Sequence, residues 1–556
     1  MIKRIAIGLV ALAVLAAIGF VAVGGRQGVA MLALKYLLRK DPAPNREVTW
    51  QAGPAAPAPI ASGQKRPPNI IVIVADDLGY NDLSLAGGGI ADGTVPTPHI
   101  NAIALGGVNF TAGYAGNATC APSRAAMMTG RYATRFGFEF TPVPVQFSRM
   151  VGGHQVDGAL RSLIYHADRE RDMPPYEDQG LPTSEITIAR MLKGAGYRTL
   201  QLGKWHLGDS PQFRPYSHGF DESLAMQHAA MMMMDAKDPG VVNAHQPFDP
   251  IDKFLYAAHP FGVRFNDSEL FAPRGYFTDY MTDEAIKAIK ANRNRPFFMY
   301  LAYNAPHTPL QATREDYDAL PQIADHTTRV YAAMIRSLDR NIGRVMQSLK
   351  DQGLDDNTLV VFTSDNGGAH YVGIDRLNSP LRGWKATYFE GGIRVPFFMR
   401  WPAAMPAGAN YSQPISHFDI FATAAAAAGV ALPTDRVIDG VNLAPFVRGE
   451  SSGAPHERLF WRGGDYAAVR EGDWKLQVTA TPKRAMLYNL ATDPGEKSDL
   501  AAAHPERVER LRALIVEFNK SQAKPSWPAL IEAPVPVDKT MKVPQAPDDL
   551  YVYFSN

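Results

Sequence analysis

The chain of 556 residues has one cysteine, Cys120, so no internal disulfide can hold it, and the fold rests on its apolar core and any bound ion. Neither sign of charge is in excess: 56 Lys and Arg against 55 Asp and Glu leave a formal charge of +1. A nucleic-acid binder needs a clustered basic face, so this balance gives no reason to expect nucleic acid or an acidic surface as partner. No internal repeat is visible. Hydrophobic residues make up 46% and charged residues 20%, as in a globular protein able to bury a large core.

With disulfides silent about compartment, the N-terminus carries that signal. Lys3 and Arg4 precede an uncharged stretch of 21 residues, Ile5 to Gly25. A bilayer crossing takes about 20 residues, more than the ~7–15 residues of an ordinary signal-peptide core. Residues 1–28 are therefore expected to be a signal anchor or signal peptide, with small residues at Ala22, Gly24 and Gly25 leaving cleavage open. Positive charge at the short end puts the rest of the chain across the membrane. The expectation is an exported protein, periplasmic or otherwise extracytoplasmic, anchored by that segment. Residues 29–68 follow as a juxtamembrane segment and a Pro/Ala-rich linker.

From Asn69 the chain alternates short β-branched runs with helical patterns, which predicts an α/β fold with a large, mostly parallel central sheet flanked by helices. The runs are NIIVIVA, YRTLQLG, PFFMYLAY, TLVVFTS and VPFFMRW. Apolar residues at Tyr331, Met334, Ile335, Leu338, Ile342, Val345 and Leu349 mark a helix over 331–350, with Gly353 as its stop. A second helix is expected from about Ser184 to Gly194. Residues 69–430 form the predicted catalytic domain. Residues 431–556 are expected to form a smaller C-terminal α+β subdomain with a short antiparallel sheet, a helix near 505–522 and a Pro-rich surface tail.

Four of the apolar runs end in charged or metal-binding residue types. NIIVIVA ends in Asp76–Asp77, YRTLQLG in Lys204 and His206, PFFMYLAY in Asn304 and His307, and TLVVFTS in Asp365–Asn366. Active sites of open α/β sheets lie beyond the carboxyl ends of the strands, so these groups point to one edge. Asp76, Asp77, Asp365 and Asn366 offer only oxygen, which suits calcium or magnesium better than zinc. A lone Asp at a strand end is as often a cap or turn former; two such pairs on two strands are not explained that way.

Cys120 lies in NATCAPSRAAMMTG, where Pro122 suits the first turn of a helix. That places Cys120 at a helix N-terminus, where backbone N–H groups favour negative charge, with Arg124 one turn on. A solitary cysteine is ordinarily a small buried hydrophobe; the flanking proline and arginine argue for chemistry.

These residues carry a resemblance. Cys120-Ala121-Pro122-Ser123-Arg124 resembles the Cys-x-Pro-Ser-Arg signature of the type I sulfatases, arylsulfatase-like members of the alkaline-phosphatase-like superfamily, and Thr129-Gly130-Arg131 follows as in that family. Asp76-Asp77-Leu78-Gly79, Gly203-Lys204-Trp205-His206-Leu207-Gly208, Ala305-Pro306-His307 and Ser364-Asp365-Asn366-Gly367 are similar to its blocks, in its order. So is Arg382-Gly383-Trp384-Lys385 followed by Glu390-Gly391-Gly392. The resemblance covers about Asn69 to Asn519.

It implies a sulfuric ester hydrolase acting on aryl sulfates or sulfated carbohydrates. It implies that a formylglycine-generating maturation enzyme oxidises Cys120 to Cα-formylglycine, and that one calcium ion, magnesium being the alternative, is held by Asp76, Asp77, Asp365, Asn366 and residue 120. On the same reading a hydroxyl of residue 120, deprotonated by Asp365, attacks sulfur while Arg124 and Lys204 hold the developing charge. His307 and Lys385 face the leaving group, and His206 serves the release of sulfate. His417 and Asp419 are expected to open a helix that buttresses the site. The Met231–Met234 run falls in an insertion, Met226 to Phe261, with either a pocket-lining or a purely apolar role.

Other readings remain at this stage. A phosphonate monoester or phosphodiester hydrolase of the same superfamily shares the metal scaffold, and Pro122 and Ser123 favour the sulfatase branch. A membrane phospho-group transferase would use Thr119, and a tethered binder of sulfated glycans would have no use for the acid and base positions.

Overall fold

The computed structural model describes residues 41–59, 66–153, 160–226, 231–249 and 251–556. The central sheet has nine strands: β1 (Asn69–Ala75), β2 (Val108–Phe110), β3 (Arg198–Gly203), β4 (Glu222–Met226), β5 (Val263–Phe265), β6 (Phe297–Ala302), β7 (Thr358–Ser364), β8 (Phe397–Arg400) and β9 (Ala409–Tyr411). Their spatial order is β9-β2-β8-β7-β1-β6-β3-β4-β5. The middle five, β7-β1-β6-β3-β4, are parallel. β8, expected from VPFFMRW, runs antiparallel to β7, and β5 antiparallel to β4.

The run NIIVIVA shows why a central strand is uninterruptedly apolar. All seven residues of β1 are buried, and alternation divides them between two cores. Ile71, Ile73 and Ala75 join one cluster; Ile70, Val72 and Val74 join the other. The first face is covered by α3 (Phe277–Asn292) and α4 (His326–Asp351), the second by α1 (Cys120–Thr129), α2 (Ile188–Gly194) and α5 (Asp419–Ala427). α4 starts five residues before its apolar stripe. The carboxylate of Asp325 caps it, accepting from the Thr328 N–H at 2.8 Å, and the polar first turn carries no apolar signal. Gly353 stops it at φ 66°, a left-handed conformation glycine adopts without strain. α2 begins at Ile188 rather than near Ser184, because Thr187 caps it by accepting from the Arg190 N–H at 3.1 Å.

The C-terminal part holds the antiparallel sheet β10 (Arg458–Gly463), β11 (Tyr466–Glu471), β12 (Trp474–Ala480) and β13 (Lys483–Asn489), backed on one face by α6 (Pro505–Lys520). Its other face packs on Tyr114, Tyr388, Phe389 and Phe418 of the larger body. The tail is more ordered than its prolines suggested: β14 (Ile531–Pro536) pairs with β15 (Tyr551–Ser555) and with Ile164–Tyr165. Part of the expected linker also lies on the body, with the Trp50 indole N–H donating to Glu284 at 2.9 Å and the ring edge-on to Phe265.

The expected membrane anchor requires correction. Among the described residues no helix is long and apolar enough to cross a membrane, so anchoring and the extracytoplasmic placement drawn from it are unsupported. Ile5–Gly25, on which that expectation rested, lies outside the described residues.

Candidate active site

The parallel strands deliver their terminal residues to one edge, as their sequence ends imply. Asp76 and Asp77 leave β1, Lys204 leaves β3, His307 follows β6 by five residues, and Asp365 and Asn366 leave β7. Asp77 and His206 sit at φ 59° and 58°, and Ala386, beside Lys385, at 72°. Such left-handed backbone is costly for non-glycine residues, and persists where surrounding contacts impose it.

Cys120 is the first residue of α1, and its Sγ lies 3.6 Å from Asp76 Oδ1 and 3.7 Å from Asp77 Oδ1. Ligand atoms of Asp76, Asp77, Cys120 and His307 all fall within 4.8 Å of one another. Asp365 Oδ1 accepts from the Asp77 N–H at 3.1 Å, and the Asn366 amide donates to Asp77 Oδ1 at 2.8 Å. Asn366 Oδ1 is buried with no hydrogen-bond partner among the described residues. Three buried carboxylates and an orphaned amide oxygen offer oxygen donors that fit a hard divalent cation, with the Cys120 sulfur and the His307 ring beside two of them.

Cations interleave with these acids. Lys204 Nζ bonds Asp76 Oδ2 at 2.6 Å, and Lys385 Nζ bonds Asp77 at 2.8 Å. Arg124, fully buried, donates from Nε to Asp365 Oδ2 at 2.9 Å and from Nη1 to the Tyr300 hydroxyl at 3.1 Å. Burial pushes the Asp76 carboxyl up to about 7, against the pull of Lys204. Burial alone would raise Asp77 too, but Lys385, His307 and Lys204 outweigh it and hold the group well below the usual carboxylate range. Burial also drives the Cys120 thiol up, so it is no ready thiolate.

The two histidines differ. His307 makes a 2.6 Å bond from Nδ1 to the Thr308 carbonyl, which makes Nδ1 the donor and leaves Nε2 facing Asp77 Oδ2 at 3.6 Å. Burial lowers it to about 3, leaving the ring neutral. His206 is also held neutral, by burial and then by Lys204 and Arg124, and both its ring nitrogens lack a partner among the described residues. The structure therefore gathers Asp76, Asp77, Cys120, Arg124, Lys204, His307, Asp365, Asn366 and Lys385 through direct contacts, and ties His206 to them by no hydrogen bond.

His417 bridges Ser123 Oγ at 3.1 Å and Thr363 Oγ1 at 3.0 Å, fastening α1 to β7. Asp419 accepts from the Ser416 and Val441 N–H groups at 2.8 and 2.9 Å. Met231 and Met233 pack into the apolar core, with the Met233 N–H bonded to Gln311. Two residues escaped the sequence reading. The Tyr371 hydroxyl donates to Asp77 Oδ2 at 2.7 Å and accepts from Lys385 at 3.0 Å; it lies in a single 3₁₀ turn, His370–Val372, too short to leave a pattern that flags it. Tyr300 had a signal, a hydroxyl inside an otherwise apolar strand.

The sulfatase family model matches residues 68–430, a stretch that contains every one of these side chains. The chain belongs to the sulfatase family. It is thus a sulfuric ester hydrolase. N-acetylgalactosamine-6-sulfatase of Homo sapiens is 31% identical to this sulfatase over 504 residues, covering 84% of this chain and 89% of that protein. The solved structure of Ps i-CgsB in complex with k-i-k-neocarrahexaose is similar at a TM-score of 0.69 and 32% identity, covering 83% of this sulfatase and 95% of that chain. A phosphonate monoester hydrolase from Silicibacter pomeroyi shares the fold, with a TM-score of 0.55 at 21% identity, covering 83% of this chain and 96% of that one.

Proposed function

We propose that this sulfatase hydrolyses sulfate monoesters of carbohydrates, through residue 120 matured from cysteine to Cα-formylglycine and beside one calcium ion. The observation that carries the proposal is Cys120 at the first turn of α1, with Sγ 3.6 and 3.7 Å from the buried carboxylates of Asp76 and Asp77. The carbohydrate reading draws support from the relatives named N-acetylgalactosamine-6-sulfatase and from the neocarrahexaose complex of the similar structure.

Asp76, Asp77, Asp365 and Asn366 would hold the calcium, which when bound supplies positive charge for the sulfuryl oxygens and acidifies a hydroxyl of residue 120. Three carboxylates (Asp76, Asp77, Asp365) are balanced in the structure by Arg124, Lys204 and Lys385. A divalent ion therefore makes the site net positive, which suits an anionic ester. Arg124 orients Asp365, and Asp365 takes the proton of the attacking hydroxyl. Lys204 and Lys385 present ammonium groups to the charge that grows on the transferring group. His307, its ring neutral and fixed through the Nδ1 proton on the Thr308 carbonyl, and Lys385 stand together on Asp77; of the two, Lys385 carries the proton that can go to the departing oxygen. His206 accepts the proton whose loss frees sulfate.

The test is the mass of the peptide containing residue 120 together with turnover. Active protein should carry the aldehyde mass, and Cys120→Ala should be folded and inert. Full activity in protein with only a free thiol at 120 would refute the proposal.

A further inference from the structure

The insertion between β4 and β5 contains an anomaly that the chemistry above does not use. Gln246 has no exposed surface, and neither its amide nitrogen nor its amide oxygen has a hydrogen-bond partner among the described residues. Buried amides are nearly always satisfied, because each unmade bond costs about 1–3 kcal/mol. A glutamine kept with both ends open is most simply explained by a partner that arrives later.

Two observations bring the segment around Gln246 to the leaving-group side of the site. Residues Val241–Ala244 pair antiparallel with Leu310–Thr313, and Ala244 stands opposite Leu310. That pairing ends at Ala244 and Leu310, two residues from Gln246 and from Thr308, whose carbonyl fixes His307. Phe248 lies against Gly373, two residues beyond the Tyr371 that bonds Asp77 and Lys385. Asp249 is buried and turned back so that its N–H bonds the Gln246 carbonyl at 3.0 Å. The insertion thus folds over the edge formed by His307, Tyr371 and Lys385. Being sealed from bulk water is no obstacle there, since Asp76, Asp77 and Asn366 are as deeply enclosed.

We propose that Gln246 is a specificity-determining residue that hydrogen-bonds hydroxyls of the sugar bearing the sulfate, with Asp249 bracing the turn that presents it. An amide gives and takes hydrogen bonds side by side, as vicinal hydroxyls of a pyranose do, whereas an aryl leaving group offers no such partner. The inference rests on the carbohydrate reading above and deepens it.

The experiment compares kcat/KM for a panel of hexose monosulfates with that for 4-nitrophenyl sulfate, in matured wild-type enzyme and in Gln246→Met and Gln246→Glu. Leaving a sugar hydroxyl unpartnered should lower the sugar-to-aryl ratio roughly 10- to 100-fold in Gln246→Met, with a smaller loss in Gln246→Glu, which keeps acceptors only. Removing an unsatisfied buried amide should also leave the melting temperature of Gln246→Met equal or higher, since no protein bond is lost. Equal losses on both substrate classes, or a lowered melting temperature, would show Gln246 to be a structural residue and overturn the inference. Wild-type enzyme that cleaves 4-nitrophenyl sulfate but none of the sugar sulfates would refute the carbohydrate reading itself, and the inference with it.

Discussion

Lys475 of β12 is sealed between two carboxylates, 2.8 Å from Glu390 Oε1 and 3.0 Å from Glu496 Oε1, with no exposed side-chain surface on any of the three. Glu390 belongs to the segment that carries Lys385, so this cluster fastens the C-terminal sheet to the active-site loop. Lys475→Met keeps the bulk and removes the charge. Breaking a buried ion pair on one side costs about 3–5 kcal/mol, because the partner charge stays behind. The structure also fixes how that cost depends on pH. Burial raises Glu496 to about 7; a raised carboxyl adds stability below its unfolded value near 4.5 and loses it as pH climbs through 7. Glu390 is the opposite case: burial would raise it, but Lys475, Arg394 and Arg470 hold it at about 2, so its contribution is present above 4.5 and lost toward pH 2. Without Lys475 both carboxyls move up, and acid neutralises them more readily. The expected loss in denaturant unfolding is therefore about 3–5 kcal/mol at pH 8 and less than half of that at pH 5, where the acids can be neutral. Adding Glu496→Gln to the variant should flatten the difference. An equal loss at both pH values would refute this account of the cluster.

Three further outcomes are expected. Asp365→Ala removes both an oxygen donor and the partner of Arg124, so calcium binding by titration calorimetry should weaken and turnover should stop; an unaltered calcium isotherm would remove Asp365 from the ligand set. Lys385→Ala should slow sugar sulfates about 10²–10⁴-fold but acidic phenol sulfates far less, because nitrophenolate leaves without a proton; equal slowing for both would assign Lys385 to charge stabilisation alone. His206→Ala should release one equivalent of phenol per site in a rapid-mixing experiment and then stall, whereas a slow phase with no burst would move His206 to the first step.

Much of this was legible because strand burial and catalysis leave opposite marks. NIIVIVA and TLVVFTS had to be apolar at every position to sit between two helical layers, so the first polar residue after each was conspicuous and belonged to the sheet edge. Lys204 and His307 were read from strand ends, Cys120 and Arg124 from a helix start and Lys385 from a short block, and the structure places them in contact with the carboxylates named from the strand ends. What stayed hidden depends on partners distant in sequence. Nothing local distinguishes Tyr371, whose meaning comes from Asp77, 294 positions away. The strand at Ile531–Pro536 was obscured by its prolines; it is the middle strand of its sheet, but Ile164–Tyr165 pairs only with Ile531 and Glu532, so Pro534 and Pro536 lie where that side is unpaired. Gln246 reads as an ordinary loop glutamine until its lack of partners is seen.

The position of β1 has a consequence for the chain during its synthesis. Its parallel neighbours arrive late: Ile70 pairs with Phe298, and Asn69 with Thr358, 289 positions on. At about 5–20 residues per second, the ribosome needs roughly 10–60 s after finishing NIIVIVA to deliver a strand that can cover it. Throughout that interval an uncharged, β-branched, proline-free segment of seven residues has both edges open, the composition most prone to intermolecular pairing. The yield of soluble enzyme should accordingly be governed by elongation rate and chaperone supply, and a cell that translates faster than it can shield this one strand will accumulate aggregate before any sheet has closed.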